Sequence, residues 1–208
     1  MVQKLSYNPS INVGDRRLHP KAQVENALSL GRGPLIHSKW PSTLIERFSQ
    51  VCDLQPDTVA IQDDGCCLTY LELSDRVHAL AAAISTAGIL TGDYVALVLD
   101  LFAAMLGMLH VGAVFVPLDI TVPTARNMAM NAVYQPKLVM YDTSNAEMFE
   151  QLFSSQYQLH SLNLSDVSLK HAGEISRKFQ YYAFLLFTSG STGTPKGVKI
   201  TQSGVMKN

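Results

Sequence analysis

The run Tyr94-Val95-Ala96-Leu97-Val98-Leu99 is apolar almost throughout and leaves no side to face water. A half-exposed strand alternates apolar and polar residues, whereas a strand covered on both faces reads as a continuous apolar stretch, the pattern of a central parallel strand. Such a strand needs helices above and below it, and the flanking sequence supplies them. Thr43 to Val51 reads as a helix, and Thr58 to Gln62 as a short strand running into a turn at Asp63-Asp64-Gly65. Thr69 with Glu72 three residues on forms a capping box, behind which Leu73, Val77, Leu80 and Ile84 recur at helical spacing until about Gly88. A helix over Phe102 to Val111 stops at Gly112, and Val114-Phe115-Val116 is the next strand. Pro123 opens another helix, Lys137 to Tyr141 is a strand, and Ala146 to Phe153 is helical. Residues 154 to 178 carry no clear pattern, Tyr181 to Phe187 reads as a buried strand, and Val198-Lys199-Ile200 as a short one. Strands alternating with helices give an α/β fold, a parallel sheet flanked by helices with right-handed crossovers.

The strand at Tyr181 to Phe187 runs into Thr188-Ser189-Gly190-Ser191-Thr192-Gly193-Thr194-Pro195-Lys196-Gly197. Bound anions in open α/β folds sit at the ends of such strands. Gly190, Gly193 and Gly197 can take positive φ, which lets backbone N–H groups converge around an anion. Thr188, Ser189, Ser191, Thr192 and Thr194 add hydroxyl donors, Lys196 supplies a point charge, and Pro195 stiffens the approach to it. A Walker A loop needs Gly-Lys followed by Ser or Thr, whereas here Pro195 precedes Lys196 and Gly197 follows it, which argues against a P-loop NTPase. A solvated Gly/Ser/Thr linker is the bland alternative; the proline and lysine at a strand end argue against it.

The run also resembles the phosphate-loop signature of the adenylate-forming superfamily of AMP-dependent synthetases and ligases. Leu68-Thr69-Tyr70-Leu71-Glu72-Leu73 is similar to an early motif of peptide-synthetase adenylation domains. Leu109-His110-Val111-Gly112-Ala113-Val114-Phe115-Val116-Pro117-Leu118-Asp119 is similar to the motif that follows it, with Pro123 and Arg126 at the usual offsets. The three segments stand in family order over roughly residues 40 to 201, and their wording is most like fungal nonribosomal peptide synthetases, including polyketide–peptide hybrids. Residues 1–37, with scattered Asn, Pro, Gly and mixed charge and no sustained periodicity, read as a leader or interdomain linker; over 38–208 the resemblance implies the N-terminal portion of an AMP-binding adenylation domain, truncated after the phosphate loop. The fold expected is the incomplete N-terminal part of the large subdomain of an adenylate-forming enzyme.

The same resemblance implies ATP with Mg2+ as cofactors, a carboxylic or amino acid as substrate, and phosphopantetheine on a carrier-protein domain as acceptor. Thr188, Ser189, Gly190, Ser191, Thr192, Gly193 and Lys196 would hold the β- and γ-phosphates, with no catalytic nucleophile and no metal ligand assigned. One departure stands out: Gln202 occupies the place where the family usually has a histidine. The motifs for adenine, ribose and the reacting carboxylate would lie beyond Asn208, which leaves open a non-catalytic product with weak nucleotide binding, or a fragment of an acyl-CoA synthetase.

Other residues read as structural. His110, where the family commonly carries lysine, is expected at a rim; Asp119 as a turn former or cap; Arg126 in an ion pair; Trp40 as a packing anchor. Cys52 and the vicinal Cys66-Cys67 match no metal spacing and fit a reducing compartment. A net charge of −1 without a basic run argues against nucleic acid and anionic membrane as partners. The polar N-terminus shows no signal peptide, so a cytoplasmic setting is expected. The apolar stretch Leu101 to Val116 is too short and too glycine-interrupted to span a membrane.

A sheet ending at Val198 to Ile200 leaves edges and apolar surface open. The isolated chain is therefore expected to self-associate; size-exclusion chromatography showing a sharp monomer peak, with cooperative melting, would contradict this.

Overall fold

A computed structural model of the chain describes residues 20–31, 41–63, 66–98, 102–119, 121–153, 159–168, 175–188 and 195–206. The chain divides into two compact units, Met1–Ser38 and Lys39–Asn208. In the first, helix α1 (Lys21–Gly31) is exposed along its whole length. Sequence reading found no periodicity there, because a helix that buries nothing carries no apolar stripe. Its local support includes a Lys21–Glu25 pair at 3.8 Å, an i,i+4 contact of the kind worth about 0.2–0.5 kcal/mol.

The second unit begins with helix α2 (Leu44–Leu54), capped by Thr43, whose Oγ1 accepts the Glu46 N–H at 3.2 Å. Strands β1 (Val59–Asp63) and β2 (Cys66–Thr69) pair antiparallel as a two-stranded sheet. Helix α3 (Tyr70–Thr86) opens with both halves of the expected capping box: Glu72 N–H donates to Thr69 Oγ1 at 3.2 Å, and Thr69 N–H to Glu72 Oε2 at 2.8 Å. The hydrogen bonds from Thr69 hold the Glu72 carboxyl below its ordinary range. The stripe Leu73, Val77, Leu80 and Ile84 is buried throughout.

There follow β3 (Tyr94–Leu97), α4 (Phe102–His110), β4 (Val114–Pro117), α5 (Thr124–Tyr134), β5 (Leu138–Tyr141), α6 (Ala146–Phe153), β6 (His160–Asn163), β7 (Tyr182–Thr188), β8 (Lys196–Thr201) and α7 (Gln202–Met206). These strands form a six-stranded sheet in the order β6-β5-β3-β4-β7-β8, parallel except for β8, which runs antiparallel to β7. Strand β3 is central, as its apolar run requires. Its odd-numbered residues Val95 and Leu97 join Leu138 and Met140 beneath α3 and α4, and its even-numbered Ala96, with Val98 just past the strand's end, joins Val139, Val114 and Val116 beneath α5 and α6. The period of two along each strand thus feeds two separate cores. Each fully buried Val or Leu is worth about 1.5–3 kcal/mol, enough to offset the ~1–2 kcal/mol of backbone entropy lost per ordered residue.

Two expectations need correction. Strand β7 is not buried along its length: Ala183 and Leu185 are, but Leu186 is 36% exposed and Thr188 is exposed. It lies next to the sheet's last strand, so cover reaches one face more fully than the other. And the unassigned stretch 154–178 contains β6, an edge strand parallel to β5 whose residues His160-Ser161-Leu162-Asn163 have no fully buried member and so no apolar signature.

Gly112 ends α4 at φ +77°, the left-handed conformation that favours glycine. A Cβ there would come within 3.2 Å of both Thr91 and the Lys178 side chain, whereas one on Gly88, at φ +79°, would meet nothing within 4 Å. Gly88→Ala is therefore expected to cost about 1–2 kcal/mol for backbone strain alone. Gly112→Ala should cost more, and urea midpoints of the two variants measure the difference.

Candidate functional site

Thr188 is the last residue of β7 and Lys196 the first of β8, and the two are paired across the antiparallel ladder. The Thr188 hydroxyl points at the Lys196 carbonyl at 3.4 Å. Both side chains are exposed at the open end of a β-hairpin, so the intervening segment leaves and returns at one place. Ser189, Gly190, Ser191, Thr192 and Gly193 lie outside the described residues. Of the seven residues singled out in the sequence, the structure therefore brings Thr188 and Lys196 together, on neighbouring strands and not merely near in sequence.

The hairpin end sits at the carboxyl edge of the parallel strands. There β4 also ends, at Pro117, and the chain reaches Asp119. Asp119 is a turn former: its Oδ1 accepts the Thr121 hydroxyl at 2.6 Å and the Thr121 N–H at 2.8 Å, and these bonds hold its carboxyl below the usual range. Its own carbonyl accepts the Nδ2–H of fully buried Asn127 at 2.9 Å, which ties the turn to α5. The connection from β3 leads to β4 on one side, and that from β4 crosses to β5 on the other. That reversal of strand order is where crevices open in sheets of this type, one strand from the hairpin.

Gly197 has a different role from that read in the sequence. It is an extended strand residue paired with Phe187, and a Cβ there would meet Leu185 Cδ1 at 3.0 Å and the Phe187 ring at 3.4 Å. The glycine is needed for close packing on β7, not for positive φ. Lys199, noted in the sequence only as a strand residue, places its ammonium 5.8 Å from the Tyr94 ring and 5.2 Å from the Tyr182 ring. Contact with Tyr94 raises its pKa. It is a second cation on the same strand, and nothing in the sequence pattern marks it.

Gln202, the departure from the family pattern, opens α7 and is buried. Its N–H donates to the Tyr181 carbonyl at 2.9 Å, and its Oε1 accepts the Leu44 N–H at 3.3 Å. Leu44 begins α2, so this amide is one of the donors a helix start leaves without an intrahelical partner. Arg126 is half-buried on α5, and no ion pair to it is seen among the described residues. Trp40 lies outside the described residues. Cys52 and Cys67 are free thiols, and burial pushes the Cys52 thiol up, away from reactivity. His110 is no rim residue: it is 4% exposed, with Nε2–H donating to the Ile175 carbonyl at 2.7 Å. Among the described residues no three His, Cys, Asp or Glu side chains gather into a metal site, and no helix is long and apolar enough to cross a membrane.

A family model described as AMP-binding enzyme matches residues 48–208. The chain belongs to the AMP-binding enzyme family. It is 35% identical over 215 residues to the hybrid PKS-NRPS synthetase iliA of Neonectria sp. (strain DH2), a match covering 100% of this chain and 5% of that protein. To the fumosorinone synthetase of Cordyceps fumosorosea it is 37% identical over 203 residues, covering 93% of this chain and again 5% of the other. The chain thus spans about one-twentieth of the length of these curated relatives. Among solved structures, the N-terminal subdomain of Klebsiella oxytoca NpsA superposes with TM-score 0.64 at 26% identity, covering 77% of this chain and 42% of that one. VinN superposes with TM-score 0.69 at 22% identity, covering 79% and 47%, a likeness of fold. Within the AMP-binding family the chain corresponds to the N-terminal part of a peptide-synthetase adenylation domain, with the mostly parallel sheet of that subdomain.

Gln202→Met keeps the bulk of the side chain but leaves the part-buried Leu44 amide without its acceptor. It is expected to destabilise this adenylation-domain segment by about 1–3 kcal/mol, read from chemical denaturation; an unchanged midpoint would mean that Gln202 only fills space.

Proposed function

We propose that the chain is the phosphate-handling part of an adenylation domain that activates an amino acid with ATP. The carrying observation is the open end of the β7–β8 hairpin, which pairs Thr188 with Lys196 at the carboxyl edge of the sheet. In this reading the substrate carboxylate attacks the α-phosphorus of ATP, pyrophosphate leaves, and an acyl-adenylate forms. A carrier-bound phosphopantetheine thiol then attacks the acyl carbon and AMP leaves.

The part played by this chain is electrostatic and positional. Lys196 offsets negative charge on the β- and γ-phosphates, and Thr188, with Ser189, Gly190, Ser191, Thr192 and Gly193, donates hydrogen bonds that fix the tail so that pyrophosphate departs in line. A set of hydroxyls and one ammonium suits phosphate oxygens and leaves a magnesium ion to be held by the nucleotide's own phosphates; such an ion would supply further neutralisation of the leaving group. No proton transfer is asked of these residues. The likeness to hybrid synthetases supports the peptide-synthetase branch over an acyl-CoA synthetase, and a role in secondary metabolism.

The test is ATP affinity of the full chain, and amino-acid-dependent exchange of labelled pyrophosphate into ATP by a complete domain carrying this sequence. Lys196→Ala should weaken ATP binding about ten- to hundredfold, the equivalent of losing one charged hydrogen bond at about 1.5–3 kcal/mol. Lys199→Ala should change it far less. Unaltered affinity and exchange in Lys196→Ala together with valine at positions 190 and 193 would overturn the reading.

A further inference from the structure

His110 holds the segment 175–178 twice. Its ring donates through Nε2–H to the Ile175 carbonyl at 2.7 Å, and its own carbonyl accepts the Lys178 N–H at 3.0 Å. That segment is the lead-in to β7, the strand that ends at Thr188. It is seated on two glycines: a Cβ on Gly112 would come within 3.2 Å of the Lys178 Cβ, and one on Gly92 within 2.9 Å of Gln180 Nε2. The strap is therefore placed by shape, by one main-chain bond and by a single titratable side chain.

The surroundings decide which form of the imidazole can stay. Because its partner is a carbonyl, Nε2 carries the proton, and in the neutral ring Nδ1 is bare. Acid adds its proton at Nδ1, which leaves the Nε2–H bond in place but puts a charge into a buried site beside His78 and the Arg177 of the strap. On α3, His78 meets the His110 ring edge-on at a centroid distance of 5.2 Å, its own Nδ1 being 3.4 Å from Ser74 Oγ. Arg177 on the strap adds a positive charge, while Asp75 on α3 and Asp53 with Cys52 on α2 line the same cleft of about 810 Å³. Burial, then His78 and Arg177, make the ring a weaker base than an ordinary histidine, against the opposing pull of the Ile175 carbonyl.

We propose that His110 is a positioning residue, a latch whose neutral ring holds the 175–178 strap and with it the approach to β7, and which acid releases. Its bearing on nucleotide binding rests on the function proposed above; the latch itself does not. An opened strap exposes an imidazole titrating near the ordinary value of 6.5, whereas the latched one titrates lower, so the open form binds more protons. Latch strength is then full above that ordinary value and is lost as pH falls through it toward the latched one.

Amide hydrogen exchange of the full chain, corrected for intrinsic rates, between about pH 8 and about pH 5 tests this. Protection over residues 175–188 should fall on acidification by up to about tenfold per pH unit, the effect of one linked proton, while β3 stays protected. H110Q keeps a neutral N–H donor and should flatten the pH dependence; H110A should be poorly protected at every pH; H78Q should keep the transition. An acid transition surviving unchanged in H110Q, or no transition in the native chain, overturns the proposal. Should the variants not fold, nitrogen NMR of the native chain decides: a proton on Nδ1 at neutral pH, or titration of His110 at or above the ordinary value, also overturns it. Loss of ATP binding with the acid transition intact would count against the proposed function alone, and a flat exchange profile with normal ATP binding against the latch alone.

Discussion

Strand β3 has almost no solvent-facing side, and most of the larger unit is arranged to satisfy that. Burying Val95 and Leu97 on one face and Ala96 and Val98 on the other demands helices on both, so the chain must leave β3 on one side of the sheet and come back over the opposite side. The connection through α4 to β4 and the crossing through α5 to β5 are that solution. The diverging connections meet at the carboxyl edge, the place where sheets of this kind bind ligands, and the β7–β8 hairpin opens at that edge. The position of the candidate site is thus a consequence of how a doubly covered strand is wrapped.

Much of this was legible because it is encoded locally. The Thr69–Glu72 capping box, the stop at Gly112 and the uniform apolarity of β3 each involve residues within a few positions of one another, where spacing fixes geometry. For the candidate site, the composition of residues 188–197 points to a polyanion, and to this the structure adds the pairing of Thr188 with Lys196 across the ladder.

What was not legible depends on residues far apart in the chain. Gly197 is required by Leu185 and Phe187 across the ladder, Gln202 by an amide 158 residues away, and His110 by a strap 65 residues later. No window of sequence contains both partners of such contacts. β6 and α1 were missed for a different reason: one is an edge strand without a fully buried residue, the other a helix without a buried face, and the apolar pattern that reveals an element exists only where something is covered.

The two neighbours of β7 hold it in different ways. It is aligned with β8 through six residue pairs, while on the β4 side Phe115 pairs with Phe184 and Val114 and Val116 share a buried core with Leu185. A pull on the tip is therefore borne by the ladder to β8 and, through Leu185, by the apolar layer beneath α5 and α6. Whatever grips Thr188 and Lys196 thus pulls against the interior of the sheet as well as on its margin.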